Sequence, residues 1–150
     1  MLKFLLLLHT AAAMVCLGSI THNLVMIVGY WRGKFRRTQL EKLYVKVSFI
    51  AFICTYLLGG IGLYPPFRYQ VRHLYFDTSL RWATGLFEIK EHWGSLALVL
   101  FIVYYLLSRS IQPSPDNPLL KIYISLGILL SIIIWFSAIV RFLLVSYKSV

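Results

Sequence analysis

Acidic residues are scarce in this chain. Five Asp and Glu stand against fifteen Lys and Arg, and charged residues make up only 13% of its 150 positions, about half the share of an ordinary soluble domain. Cysteine is rarer still. Cys16 and Cys54 both fall inside apolar runs that oxidising solvent does not reach, so a disulfide framework is excluded and both are expected to be small packing residues. No zinc-ligand spacing, phosphate-binding glycine loop or nucleophile elbow occurs, which leaves hydrolase and kinase chemistry without support. Internal repeats and low-complexity tracts are also missing.

What fills the chain instead is hydrophobic sequence, at 59% of residues and a mean hydropathy of +0.76. Four runs, Leu2 to Tyr30, Leu43 to Tyr64, Leu86 to Leu107 and Leu119 to Ser146, each reach the roughly 20 residues that cross a hydrocarbon core. They predict an all-α, integral-membrane four-helix bundle of up-and-down topology, forming one domain over residues 1–150. The first run starts like a secretory signal, with Lys3 before a leucine stretch and Ala11, Ala12 and Ala13 after it. It continues to Tyr30, however, and Val15 occupies the position before Cys16 where a lipoprotein signal needs a small residue, so it reads as an uncleaved first helix.

The connection W-R-G-K-F-R-R-T-Q-L-E-K gathers Arg32, Lys34, Arg36, Arg37 and Lys42, with Lys46 beyond, and the positive-inside rule assigns it to the cytoplasm. Both termini then lie outside. The net charge of +10 is expected to meet anionic lipid headgroups and not nucleic acid, because the cations sit in membrane loops among aromatics. Arg68, Arg72 and Arg81 lie in the second connection between Phe, Tyr and Trp residues, as segments at headgroup level do, with Asp77 and Arg81 spaced to pair on a short interfacial helix. Pro65 and Pro66 are expected to end the second helix. Pro113, Pro115 and Pro118 keep the third connection free of helix, with Asp116 or Asn117 capping the fourth helix.

Titratable groups recur at one membrane depth. His9 lies roughly 9 Å beyond Lys3 at about 1.5 Å per residue. The third run enters from the same side through F-E-I-K-E-H-W, carrying Glu88, Lys90, Glu91 and His92, and Arg141 lies near the exit of the fourth. Ionisable groups inside hydrocarbon are expensive, so their convergence marks a site. Glu88, His92 and Ser95 share a helical face. So do Gly127, Ser131, Ile134, Ala138 and Arg141, a stripe of mainly small residues suited to the bundle interior. His9 continues through Ala13, Cys16, Ile20 and Asn23 in the same manner, while Gly59, Gly60 and Gly62 leave room for a neighbour or a flat cofactor.

One reading makes His9 and His92 the two axial ligands of a b-type haem, with Arg141 meeting a propionate and Glu88 orienting His92 or carrying protons. A quinone could use the same residues. Alternatively His9, Glu88, Glu91, His92 and Arg141 are a buried ion-pair network that holds the helices in register. His22 falls about 220° around the helix from His9, at about 100° per residue, so a second haem on that face is not expected; His73 is expected to be exposed. Glu88, Glu91 and His92 lack the partner Glu and Glu-x-x-His sets of a carboxylate-bridged metal pair.

The strings L-L-L-L-H-T-A-A-A and F-E-I-K-E-H-W-G-S-L-A-L-V-L resemble the small bacterial four-helix haem-binding protoporphyrinogen oxidases and related copper-resistance membrane domains. That resemblance implies functional roles for His9 and Lys90, haem binding and quinone-linked oxidation. The segment L-Y-P-P-F-R-Y-Q-V-R followed by L-F-E-I-K-E-H resembles that of bacterial inner-membrane proteins. The expectation is therefore an inner-membrane electron-transfer protein holding one haem b or a quinone near the outer face. The competing expectation is a structural or assembly subunit bound to other membrane protein subunits, and a third is a proton or small-ion pathway through Glu88.

Overall fold

The computed structural model describes residues 1–69, 72 and 81–148. Four helices account for nearly all of them: α1 (Leu2–Trp31), α2 (Thr38–Phe67), α3 (Arg81–Ser110) and α4 (Leu119–Lys148), with no strand among the described residues. His73 and the expected Asp77–Arg81 pair involve positions outside the described residues. Each helix packs on its neighbours in chain order and α4 closes back onto α1, so the cross-section is a square. Short connections make successive helices antiparallel. One end of the bundle therefore carries both chain ends, and the other carries the α1–α2 and α3–α4 connections.

All four helices are long and apolar enough to cross a membrane, yet only 17% to 33% of each one's most apolar stretch is buried inside the bundle. Side chains such as Leu7, Val25 and Phe142 stay largely exposed. A helix that is apolar on its outer face as well as its inner one needs lipid around it. The fold is thus that of a multi-pass membrane protein.

Helix ends follow local chemistry. Gly33 adopts a φ of +73°, and the bonds from the Gly33 amide to Tyr30 O and from Lys34 to Gly29 O close α1 in a Schellman turn. At the other corner the Asn117 side chain accepts the Leu119 amide at 3.0 Å, capping the start of α4, with Pro118 immediately before it, where a missing amide matters least. Residues 111–118 carry no helix, as their prolines required.

Two boundaries differ from the sequence expectation. Both α2 and α3 begin about one turn earlier than the hydropathy runs, at Thr38 and Arg81, because polar first turns are helical without being apolar. More telling, Pro65 and Pro66 do not end α2. The segment Leu58–Leu63, with three glycines, widens into a π-helix, and the α-helical turn Tyr64–Phe67 starts afresh beyond it. The prolines then occupy a first turn, where a missing amide donor breaks nothing.

The core divides in two. Ile20, Ile27, Val45, Phe101, Tyr104, Leu130 and Ile133 belong to the main cluster, which fills the middle and the connection end. A smaller cluster of Ala83, Phe87, Val140 and Leu144 joins α3 to α4 at the end with the termini. Between that small cluster and α1 the packing opens.

Candidate functional site

The opening is a cleft of about 770 Å³ bounded by all four helices, within the range of small-molecule sites. Its walls are mostly apolar. Leu6, Ala13, Phe52, Leu63, Phe87 and Ile134 are among the residues that line it, and the polar groups His9, Lys90, Glu91 and Arg141 converge on it. Three of the helices expected to meet at one depth thus do so.

Each polar group is held by a neighbour. The His9 Nδ1 lies 3.0 Å from the Thr55 carbonyl oxygen on α2, and since a carbonyl only accepts, Nδ1 carries the proton and Nε2 keeps its lone pair. Gly59 sits against the same ring, because a Cβ there would come within 3.0 Å of His9 Cε1. The π-helical turn therefore serves the site directly: its glycines Gly59 and Gly60 line the cleft and let the α2 backbone approach α1. Arg141 donates to Thr10 Oγ1 at 2.9 Å, and Thr10 in turn donates to the Leu6 carbonyl. Lys90 stands 5.0 Å from the centre of the Phe87 ring and 3.3 Å from Glu91. No carboxylate among the described residues forms a salt bridge with Arg141, so the cleft carries two cations against one anion.

His92 and Glu88 do not join this group. Both are exposed on the outer side of α3, where His92 Nδ1 lies 2.8 Å from the Glu88 carbonyl oxygen and the Glu88 carboxylate pairs with Arg72. Ser95 shares that face and meets the Tyr56 hydroxyl at 3.3 Å. Spacing correctly put Glu88, His92 and Ser95 together, but on the face turned from the cleft. His22 is exposed as well, stacked on Tyr44 at 5.2 Å between ring centres. Cys16 is buried as expected, whereas Cys54 faces outward.

A second polar cluster lies at the connection end, and sequence reasoning missed it. Glu41, assigned to the first connection, is 1% exposed inside the bundle. Its Oε1 accepts from Asn23 Nδ2 at 2.9 Å and from the Tyr123 hydroxyl, while the Tyr104 hydroxyl donates to Asn23 Oδ1 at 2.7 Å. Tyr104 and Tyr123 stack at 4.6 Å. These bonds cross both diagonals of the square, Tyr104 to Asn23 from α3 to α1 and Tyr123 to Glu41 from α4 to α2. The available signal was the stripe Glu41, Val45, Ser48 and Phe52, which has helical spacing and is buried throughout.

Comparison of the chain with known protein families, curated proteins and solved structures finds no match. Among the described residues no group of three or more His, Cys, Asp and Glu is arranged to hold a bare metal ion. Haem iron asks less of the protein, because the porphyrin supplies four ligands and one imidazole can suffice. The donor set here fits that requirement: one histidine with a fixed tautomer, a large apolar cleft, and the cations Arg141 and Lys90 lining it.

Proposed function

We propose that this protein is a bacterial inner-membrane electron carrier that holds one b-type haem in the cleft, where His9 would bind its iron. The observation that carries this reading is His9 itself, whose Nδ1 is committed to the Thr55 carbonyl, leaving Nε2 as the ligating atom. Ligating histidines characteristically donate their second ring nitrogen in this way. Arg141 and Lys90 would face the propionates, which supply the anionic charge the cleft lacks. The haem would accept and release single electrons; the protein's part is to orient it and exclude water. With both termini outside, the cleft lies near the outer face. A quinone is the second occupant the same donors favour, its carbonyl oxygens accepting from Arg141 or Lys90.

The reading is tested by an oxidised-minus-reduced visible spectrum of protein purified after haem-sufficient expression, with haem quantified by pyridine extraction. A near-stoichiometric b-type signal is expected, lost in His9→Ala and kept in His92→Ala. A colourless protein that extracts with bound quinone would replace haem by quinone. Absence of both, with a co-purifying membrane protein, would favour the assembly-subunit reading.

A further inference from the structure

Inside the bundle, at the end opposite the cleft, Glu41 is buried with no cation bonded to it. The two oxygens of its carboxyl group are treated unequally. Oε1 accepts two hydrogen bonds, from Asn23 and Tyr123, whereas Oε2 has no partner. The Tyr30 hydroxyl, 3% exposed at the end of α1, is the other buried side-chain atom without a partner among the described residues, and it stands beside the same carboxyl group.

An ionised carboxylate needs donors on both oxygens, because its charge is shared equally between them. A carboxylic acid does not. Its carbonyl oxygen accepts, and its hydroxyl oxygen requires only an acceptor. The magnitudes agree with the asymmetry. Burying an unpaired carboxylate costs more than the N-terminal dipole of α2 returns. Lys42, next in sequence, is the cation whose charge acts on Glu41, and the other titratable groups facing it are phenols, Tyr30 from α1, Tyr104 from α3 and Tyr123 from α4.

The geometry points to Glu41 as a proton-binding site, a carboxylic acid that holds its proton on the unpartnered Oε2, within the membrane-spanning part of the bundle. Asn23 and Tyr123 fix which oxygen carries the proton. Tyr30 lies in the last turn of α1, stacked on Phe35 at 5.5 Å, so the site sits beside the α1–α2 connection. This site shares no residue with the cleft.

Infrared spectroscopy of the purified protein at neutral pH tests the assignment through the C=O stretch of a protonated carboxyl group and its shift in D₂O. The expected result is one such band, absent in Glu41→Gln and unchanged in Glu88→Gln and Glu91→Gln, whose side chains are exposed. Tyr123→Phe, which keeps the ring, is expected to retain the band and move it to higher frequency, because the carbonyl oxygen Oε1 loses one of its two donors. That variant keeps the test decisive if Glu41→Gln does not fold. No protonated-carboxyl band in the wild type, or a band that Tyr123→Phe leaves in place, would overturn the proposal. So would loss of the band when sodium replaces choline in the buffer, since a metal cation would then be the ligand.

Discussion

At the end of the bundle that carries the chain termini, polar groups surround open space; at the opposite end they are packed against one another. His9, Arg141 and Lys90 each donate one hydrogen bond to a neighbour and keep further donor or acceptor capacity turned to the cleft. Asn23, Glu41, Tyr104 and Tyr123 instead bond mutually across the bundle axis. The difference lies in the side chains beside them. Gly59, Gly60, Ala13 and Ala138 keep the first region hollow, whereas two stacked tyrosines fill the second. Buried polar groups thus serve two ends, a receptive site where packing is withheld and an interhelical lock where it is complete. The lock specifies the helix arrangement, because every bond in it requires a particular pair of helices in register.

The largest way to break this contrast is to overfill the lock. A Cβ on Gly127 would come within 2.5 Å of Ile27 Cδ1 and 2.7 Å of the Tyr104 hydroxyl, so Gly127→Val is expected to destabilise by on the order of 3 kcal/mol. Thermal unfolding in detergent should show a lower Tm, with loss of the folded state as the extreme. Emptying the lock is next. Asn23→Leu takes the acceptor from Tyr104 and one donor from Glu41, with an expected loss of about 2 kcal/mol. Bound cofactor, quantified per folded protein, should be unaffected.

At the cleft the expected effects reverse. Gly59→Ala places a methyl group 3.0 Å from His9 Cε1, so the ring must shift from Thr55. Cofactor content is expected to fall at least several-fold while Tm changes little, as read by absorbance and unfolding on one sample. The smallest effect belongs to Glu88→Gln. Its carboxylate is half exposed and its partner Arg72 lies at the same surface, so stability should change by less than about 0.5 kcal/mol. A large loss of cofactor or of acid-dependent proton flux in that variant would return Glu88 to the site.

The four spans were legible from hydropathy alone, because the bilayer requires length and apolar composition above everything else. Depth was legible too. His9, Lys90, Glu91 and Arg141 were placed at one level by counting residues, and they line one cleft. Direction around the helix axis was not. The spacing of Glu88 and His92 says that they share a face, but only the contacts of α3 with α2 and α4 decide that this face points away from the cleft. Similarly, the reach of α2 through Pro65 and Pro66 depends on a π-helical turn that no proline rule anticipates. Glu41 escaped notice because a basic connection and an apolar helix meet at that position, and its neighbours in sequence, Lys42 and Arg37, pulled the reading toward the loop.

The most direct test of the contrast between the two regions is the oxidised-minus-reduced spectrum of three proteins side by side: wild type, His9→Ala and Asn23→Leu. Haem binding at His9 predicts a b-type haem signal in the wild type and in Asn23→Leu, scaled to folded protein, and none in His9→Ala. A signal that survives in His9→Ala, or a wild type without chromophore after haem-sufficient expression, would contradict it.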